Sequence, residues 1–246
     1  MNMSYRKHKS VVLASALAFI VMCGIAMTAV AQNQSFAPTI LSSAGCTVTV
    51  NSGESISAAV NSAGSGSVVC VRAGVYNEQL KLPPTKSGIT VQAYPGETPV
   101  LDGTGISLGA GTGSFTGLVH ITGSNITVEG FEVRNSTGRG VVVAQSQLSQ
   151  ATNNVVVRNM IVHDNYDSGI HVTGTEQIRP YNILIEGNEV YDNLTKNLGE
   201  DHYGGAALVF RMTDDSVARG NTIYHNSGEG LAASRQSTDI TLEGNV

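Results

Sequence analysis

NITVEGFEV at 125–133 returns with small changes as NVVVRNMIV (154–162), NILIEGNEV (182–190), DSVARGNTI (215–223) and DITLEGNV (239–246). The turn residue inside these copies falls at 130, 159, 187, 220 and 244, so successive copies lie 29, 28, 33 and 24 residues apart. A constant core with variable steps is typical of one structural rung that is repeated along a solenoid, with the insertions confined to loops.

Each rung contains two short strands. In the first, apolar residues such as Ile126 and Val128 alternate with outward residues such as Thr127, which is the period of a β-strand with one face in the core. The second strand reads VHITG (119–123), VVVAQ (141–145), IHVTG (170–174), LVFRM (208–212) and LAASR (231–235). The pattern predicts an all-β, parallel β-helix in which Ile126, Val155 and Ile183 align on successive rungs.

The first 31 residues are predicted to be a signal peptide. Arg6, Lys7 and Lys9 precede an uncharged apolar run from 11 to 30, which ends in the small-residue motif Ala29-Val30-Ala31. The alternative is a membrane anchor, because the run approaches the roughly 20 residues that span a bilayer. We expect cleavage before Gln32, a secreted or cell-surface protein without stable membrane insertion, and a disordered lead-in over 32–45.

The charge balance of the mature chain limits its partners. Loss of residues 1–31 removes three basic residues and no acidic one, which leaves 11 Lys and Arg against 19 Asp and Glu, a formal charge of −8. Nonspecific nucleic-acid binding needs a basic footprint, so the charge argues against it. An acidic polysaccharide would need a local basic patch or a bridging cation.

The start of the β-helix domain, which we place at 46–246, is expected to carry a cap. SISAAVNSA (55–63) has a short helical pattern with Ser55 as a possible N-cap, and a helix here would cover the open end of the solenoid. Cys46 and Cys70 are an even pair in an exported chain, which favours a disulfide over two buried thiols. The chain stops at Val246 in the middle of a rung, and we therefore expect further C-terminal coils in the parent protein.

VRAGVYNEQLKL followed by GITVQAYPGETPVLDG resembles the opening coils of secreted right-handed parallel β-helix proteins of the pectate-lyase-like superfamily. The resemblance covers residues 46–246 and implies the right-handed fold. It leaves the chemistry open, because the superfamily contains lyases, hydrolases, esterases and noncatalytic proteins. The Gln-Asp-Thr strand of pectin methylesterases and the Asn-Thr-Asp, Asp-Asp, Gly-His-Gly and Arg-Ile-Lys series of polygalacturonases are both missing from this sequence.

Asparagines recur at two turn positions of the rung. Asn165, Asn193 and Asn226 form one column, and a second column holds Asn188, Asn221 and Asn245. Side-chain amides repeated at one position can bond from rung to rung and satisfy the backbone of the turns. We therefore interpret these residues as structural.

Acidic residues suggest a calcium site. Asp164 and Asp192 occupy equivalent positions on neighbouring rungs about 4.8 Å apart, where two carboxylates repel unless a cation bridges them or they are well solvated. Ca²⁺ prefers such oxygen ligands, and Asp167 is near in sequence. Glu200 and Asp201, on the insertion at 193–205, could complete the shell. The alternative is that each Asp makes a local turn.

Basic residues suggest a glycan-binding groove on the second strands. His120 and His171 share an outward column, Arg211 follows in the next one, and Lys196 and His202 lie on the insertion. Arg211 is the candidate base or carboxylate clamp, and His171, His202 and Lys196 are candidate substrate contacts. The alternative is a set of solvated surface side chains.

Two functions remain open from the sequence. One is a calcium-dependent lyase of acidic polysaccharide, as the resemblance to calcium-dependent superfamily members implies. The other is a noncatalytic β-helix that binds glycan or serves in adhesion, and in either case we expect a monomer. A point against the lyase is that no lysine is expected on a rung face once Lys86 and Lys196 are assigned to loops.

Overall fold

A computed structural model of the chain describes residues 45–108, 115–145, 150–195 and 205–246, so the predicted signal peptide and residues 32–44 lie outside the description. The described residues form α1 (Ile56–Ser62) and three parallel sheets. Sheet A contains β1 (Val48–Val50), β2 (Val68–Val71), β5 (Ile89–Ala93), β8 (Ile126–Glu129), β11 (Asn153–Arg158), β14 (Tyr181–Glu186), β17 (Asp214–Arg219) and β20 (Thr238–Glu243).

The other two sheets have six strands each. Sheet B contains β3 (Val75–Tyr76), β6 (Val100–Asp102), β9 (Glu132–Arg134), β12 (Ile161–His163), β15 (Glu189–Tyr191) and β18 (Thr222–Tyr224). Sheet C contains β4 (Leu80–Leu82), β7 (Gly117–Ile121), β10 (Arg139–Ala144), β13 (Ile170–Thr173), β16 (Ala206–Arg211) and β19 (Glu229–Ser234). The chain passes from A to B to C in each full rung, and the predicted parallel β-helix is confirmed.

The register is the one that the repeats predict. Val155 pairs with Ile126 on one side and with Ile183 on the other, so equivalent residues stack on successive rungs. In sheet C, Val141 pairs with Val119 and with Ile170 in the same way. These side chains are buried in one continuous core. Outward residues therefore also form columns, each of which runs along the helix axis.

The predicted cap is confirmed at the N-terminal end. The Ser55 side chain accepts a hydrogen bond from the Ala58 N–H at 3.1 Å, and α1 buries Ile56 and Val60 against β1, β2 and β4. Nearby, a disulfide joins Cys46 to Cys70 of β2, with the two Cα atoms 5.6 Å apart. Closing this loop stabilises the fold by about 3.5 kcal/mol on the chain-entropy model.

The two predicted asparagine columns are hydrogen-bonded ladders. Asn165 Nδ2 donates to Asn193 Oδ1 at 2.8 Å, and Asn193 Nδ2 donates to Asn226 Oδ1 at 3.1 Å. The second ladder runs from Asn188 through Asn221 to Asn245. A third, exposed ladder that the sequence analysis did not identify joins Asn125, Asn154 and Asn182, all in the left-handed backbone region.

The three outer faces differ in charge. On sheet A, acidic and basic residues alternate in one column, which contains Glu129, Arg158, Glu186, Arg219 and Glu243. On sheet B, the outward column contains Asp102, Arg134, His163, Tyr191 and Tyr224. Sheet C carries a basic set of side chains, and the candidate site lies there.

In the described part of the chain, no helix is long and apolar enough to cross a membrane.

Candidate functional site

The outer face of sheet C is built from two columns. The first contains Lys81, His120, Val142, His171, Val209 and Ala232, in register on six consecutive strands. The second contains Ala144, Thr173, Arg211 and Ser234. Although these residues point away from the core, the middle of the face is covered, since His171 is only 6% exposed.

Phe115 lies over this face and is surrounded by basic side chains. Its ring centroid is 5.0 Å from that of His171. The Cζ atoms of Arg139 and Arg211 lie 4.7 and 5.0 Å from the same centroid. Two guanidinium groups on one aromatic ring form a compact, partly desolvated cationic cluster. We call Phe115, Arg139, Asp167, His171 and Arg211 the arginine cluster.

The arginine cluster has two guanidinium groups and one carboxylate. Arg139 Nη2 lies 3.0 Å from Asp167 Oδ2, and Arg139 Nε donates to His171 Nδ1 at 3.1 Å. Burial lowers the pKa of Arg139; the Asp167 carboxylate opposes that change and the Arg211 guanidinium adds to it. Arg211 donates to Thr173 Oγ1 at 3.4 Å. Within the described ranges, Arg211 forms no ion pair, whereas Arg139 pairs with Asp167.

The structure brings together three residues that were selected from the sequence: His171 and Arg211, expected in the groove, and Asp167, expected as a calcium ligand. The other two predicted substrate contacts, Lys196 and His202, lie outside the described residues, as do Glu200 and Asp201. The interpretation of this face as solvated side chains does not hold for His171, which is buried beneath Phe115.

Arg139 and Phe115 were not predicted from the sequence. Arg139 lies two and four residues before the core residues Val141 and Val143 on the same strand. Because side chains alternate between the two faces of a strand, the pattern alone assigns Arg139 to the inward face. It lies at the first position of β10, where its side chain instead reaches Asp167 and His171. Phe115 precedes β7 and belongs to no repeat, and no periodic signal could have identified it.

A second basic group lies further along the same face. Lys81, on β4, pairs in register with His120, on β7. The expectation that no lysine stands on a rung face is therefore wrong: Lys81 alternates with the buried Leu80 and Leu82 and is itself exposed. Burial, and secondly the Lys81 ammonium, lower the pKa of His120.

The three predicted calcium ligands do not converge. Asp164 and Asp192 are neighbours in one column, as predicted, because they follow the paired residues His163 and Tyr191. However, Asp167 belongs to the arginine cluster, and Asp164 Oδ2 lies 2.7 Å from His163 Nδ1. Within the described ranges, no three His, Cys, Asp or Glu side chains are grouped as metal ligands.

The backbone gives Asp164 and Asp192 a structural role. Both residues are in the left-handed region, with φ of 53° and 50°, and Asn135 and His225 have the same conformation at the equivalent turns. Asn and Asp tolerate this region better than other non-glycine residues, so the turn itself favours them. This geometry supports the alternative that each Asp makes a local turn.

The turn residues Asp164 and Asp192 follow strands of sheet B and lie away from the predicted groove on sheet C. The outward column of sheet B is an aromatic stack with carboxylates beside it: His163 and Tyr191 have ring centroids 4.7 Å apart, and Tyr191 and Tyr224 are 5.0 Å apart. The Tyr224 hydroxyl also donates to Glu189 Oε1, and this hydrogen bond raises the pKa of Tyr224 to about 12. Sheet B thus combines carboxylates with stacked aromatic rings, whereas the arginine cluster lies on sheet C.

Comparison with known proteins agrees with this architecture. The family model described as "Pel9A-like, right handed beta helix region" matches residues 36–246. No curated protein sequence matches the chain.

Solved structures share the fold at low sequence identity. Pectate lyase Pel9A superposes with a TM-score of 0.57 and 17% identity, over 78% of this chain and 49% of that one, so this chain spans about half of that protein. A putative glycosyl hydrolase from Parabacteroides merdae superposes with a TM-score of 0.53 and 10% identity, over 77% of this chain and 86% of that one. At these identities the likeness establishes the right-handed β-helix alone.

Proposed function

This chain belongs to the Pel9A-like, right-handed β-helix family, and from that premise we propose that it binds an acidic polysaccharide on sheet C and cleaves it by β-elimination. The proposed partner carries carboxylate groups on successive sugars. Export by the predicted signal peptide would bring the protein to the polysaccharides of a cell surface or its surroundings.

The observation that carries the proposal is the composition of the arginine cluster. Among the described residues of the cluster, Arg139 and Arg211 contribute two positive charges and Asp167 contributes one negative charge. A carboxylate from a sugar would balance the second guanidinium. Arg suits this role because its planar fork donates two parallel hydrogen bonds to a carboxylate.

Desolvation strengthens this binding. The side chains of Arg139 and Asp167 are each 16% exposed, and the Phe115 ring packs against the Arg139 guanidinium. Charges interact more strongly where water is partly excluded. An exposed arginine pair would gain little from an anion, whereas this cluster should bind one with useful affinity.

Arg211 is better suited to a clamp than to a base. A guanidinium group stays protonated at any pH where the protein is folded, so it cannot readily accept the proton that an elimination removes. Its charge-assisted hydrogen bonds would instead hold the carboxylate and favour the negative charge that develops beside it.

Calcium has no role in the steps that we propose. Asp164 and Asp192 would supply two carboxylate ligands, but the third predicted ligand, Asp167, pairs with Arg139. Ca²⁺ takes six to eight oxygen ligands, and the described side chains do not provide such a shell. A calcium site at this turn stays a prediction, to be tested by calorimetric titration of the metal into wild type and Asp164→Ala/Asp192→Ala.

The alternative function is a noncatalytic glycan-binding or adhesion module. The same arginine cluster would serve it, because holding a carboxylate requires no proton transfer. What distinguishes the two functions is a product with a new carbon–carbon double bond.

The test is an assay of the wild-type protein on pectate, alginate and chondroitin, each with calcium and with chelator. β-Elimination leaves an unsaturated sugar at the new chain end, which is followed by its ultraviolet absorbance. We expect a signal on at least one acidic polysaccharide and none on a neutral one. Binding without any product would leave the noncatalytic module as the function.

A further inference from the structure

We propose that Phe115 positions Arg211 as a receptor for a free carboxylate, so that the protein selects sugars whose carboxyl groups are unesterified. The inference rests on the proposed binding of an acidic polysaccharide on sheet C and deepens it, because it states which form of the carboxyl group is bound. It also assigns a role to an aromatic residue that belongs to no repeat.

Arg211 is held on one side by its neighbours. It is the last residue of β16 and pairs with Thr173 of β13. Its Nη1 atom donates to Thr173 Oγ1 at 3.4 Å and lies 3.8 Å from the Met212 sulfur. The Cζ atom lies 5.0 Å from the centroid of the Phe115 ring, inside the range of about 6 Å for a cation–π contact. These contacts fix the orientation of the guanidinium group.

The opposite edge of the Arg211 guanidinium is open. Among the described residues, Nε and Nη2 have no hydrogen-bond partner, and neither atom is one of the buried side-chain atoms that lack a partner in the same ranges. Both nitrogens are therefore accessible to a ligand. The N–H groups of Nε and Nη2 lie side by side and point in the same direction, which is the fork that binds both oxygens of a carboxylate.

Arg139 is already engaged at the same edge of its guanidinium. Its Nη2 lies 3.0 Å from Asp167 Oδ2, and its Nε donates to His171 Nδ1 at 3.1 Å. A substrate carboxylate at this edge would have to displace both contacts. Arg211 is therefore the member of the arginine cluster that can accept the carboxylate without a rearrangement.

The Phe115 ring offsets the repulsion between the two arginines. Their Cζ atoms lie 4.7 and 5.0 Å from one centroid. Burial is the first cause of the lowered pKa of Arg139, and the Arg211 guanidinium adds to it, so the two charges repel. Arg211, which forms no ion pair in the described ranges, is the one that repulsion would turn away. The negative face of the aromatic ring attracts each cation and holds Arg211 over sheet C.

This arrangement distinguishes a carboxylate from its methyl ester. A carboxylate offers two oxygens to the Nε and Nη2 donors of Arg211, and its charge balances the guanidinium. A methyl ester has no charge, and one of its oxygens carries the methyl group. Because charge-assisted hydrogen bonds are roughly twice as strong as neutral ones, esterification should weaken binding at this position.

The experiment measures the affinity of the full-length protein for oligosaccharides of pectate and of alginate, each as the free acid and with its carboxyl groups methyl-esterified. Calorimetry gives the dissociation constants of wild type, Phe115→Leu, Arg211→Gln and the double variant. We expect wild type to bind the better acid at least about tenfold more tightly than its ester. Phe115→Leu should weaken binding of that acid by roughly threefold to thirtyfold, the range of a partly desolvated cation–π contact, and change binding of the ester by less than about twofold.

The double variant separates positioning from packing. In the Arg211→Gln background, Phe115→Leu should have no further effect on the acid, because the ring then has no Arg211 charge to hold. A ring that only packed against the sheet would weaken binding equally in both backgrounds. Replacing Phe115 by pentafluorophenylalanine keeps the shape of the ring and reverses its charge distribution. We expect this variant to bind the acid at least as weakly as Phe115→Leu, with unchanged urea denaturation.

The matched control is Tyr94→Leu. The Cζ atom of Arg72 lies 4.2 Å from the centroid of the Tyr94 ring, next to sheet A, and Arg72 is paired with Glu97. This variant removes the same kind of arginine–aromatic contact from a place outside the arginine cluster. Its affinity for the acid should stay within about twofold of wild type.

The possible failures are distinguishable. Wild type that binds none of the free acids would overturn both the proposed function and the role of Phe115. Wild type that binds an acid and its ester equally well would overturn the selection of free carboxylates and leave polysaccharide binding in place. Acid binding that both Phe115 variants leave unchanged, or that Phe115→Leu weakens equally with and without Arg211, would overturn the positioning role alone.

Discussion

Arg139 shows why single functional residues are the hardest part of this chain to predict. Alternation along β10 places Arg139 on the same side of the strand as the core residues. However, Arg139 is the first residue of the strand, and its side chain lies over the outer face, where it forms an ion pair with Asp167. Lys81 was open to prediction, because LKL at 80–82 alternates as every other rung does. Arg211 and His171 were found from their columns, and their contact with Phe115 depends on a loop that has no repeat.

Asn193 makes the clearest stability prediction for a single residue. Its amide accepts from Asn165 and donates to the Val162 carbonyl, both in the buried interior of the turn. Asn193→Ala leaves these groups without a partner, and we expect it to lower the free energy of unfolding by about 3 kcal/mol.

The matched control for this prediction is Asn154→Ala. Asn154 belongs to the exposed ladder, where water replaces the lost hydrogen bonds. We therefore expect Asn154→Ala to lower the free energy of unfolding by only about 1 kcal/mol, mainly because alanine is strained in the left-handed backbone region. Urea denaturation of both variants checks the difference. Equal losses would mean that burial of the ladder does not contribute.

The elements follow from the sequence more directly than the site does. One rung repeated five times fixes which residues pair, because a slip of one position would turn every valine and isoleucine of the strand outward. Ser55 before α1 and the asparagine turns are likewise local signals. The charge of each outer face depends on which outward residues stack from rung to rung. It becomes visible only when the residues of a whole column are compared.

Sheet B allows a test by pH. Burial alone would raise the pKa of Asp102, but hydrogen bonds from Thr104, Arg134 and Asn135 outweigh it and hold the pKa well below its usual range. A carboxylate whose pKa is lowered by folding stabilises the fold at pH values above the pKa that it has in the unfolded chain, about 3.9 for Asp. This contribution is lost as the pH falls further, towards the pKa of the folded state.

Asp102→Asn should therefore be less stable than wild type at pH 7. The difference in the free energy of unfolding should shrink as the pH falls below about 4, where the wild-type carboxylate begins to be protonated in the unfolded chain. Urea titrations of both proteins at several pH values check this. A difference that stays constant across that range would contradict the assigned hydrogen bonds.

The whole molecule separates charge by face. The column on sheet A alternates in sign, sheet B combines carboxylates with stacked aromatic rings, and sheet C carries the arginine cluster with Lys81 and His120. A net-acidic protein can thus offer one basic face to an acidic partner. The overall charge of the chain does not reveal this face, because the sum of charges contains no information about their placement, whereas the columns of the second strands do.

The most direct test of the account is the affinity of wild type, Arg211→Gln and Arg219→Gln for the acidic polysaccharide that binds best. Both variants remove one positive charge, from sheet C and from sheet A respectively, where Arg219 pairs with Glu186. We predict that Arg211→Gln weakens binding by roughly tenfold to a hundredfold, the loss of a charge-assisted hydrogen bond, while Arg219→Gln stays within twofold of wild type. Equal affinities for all three proteins, or a greater loss in Arg219→Gln, would contradict the assignment of the binding face to sheet C.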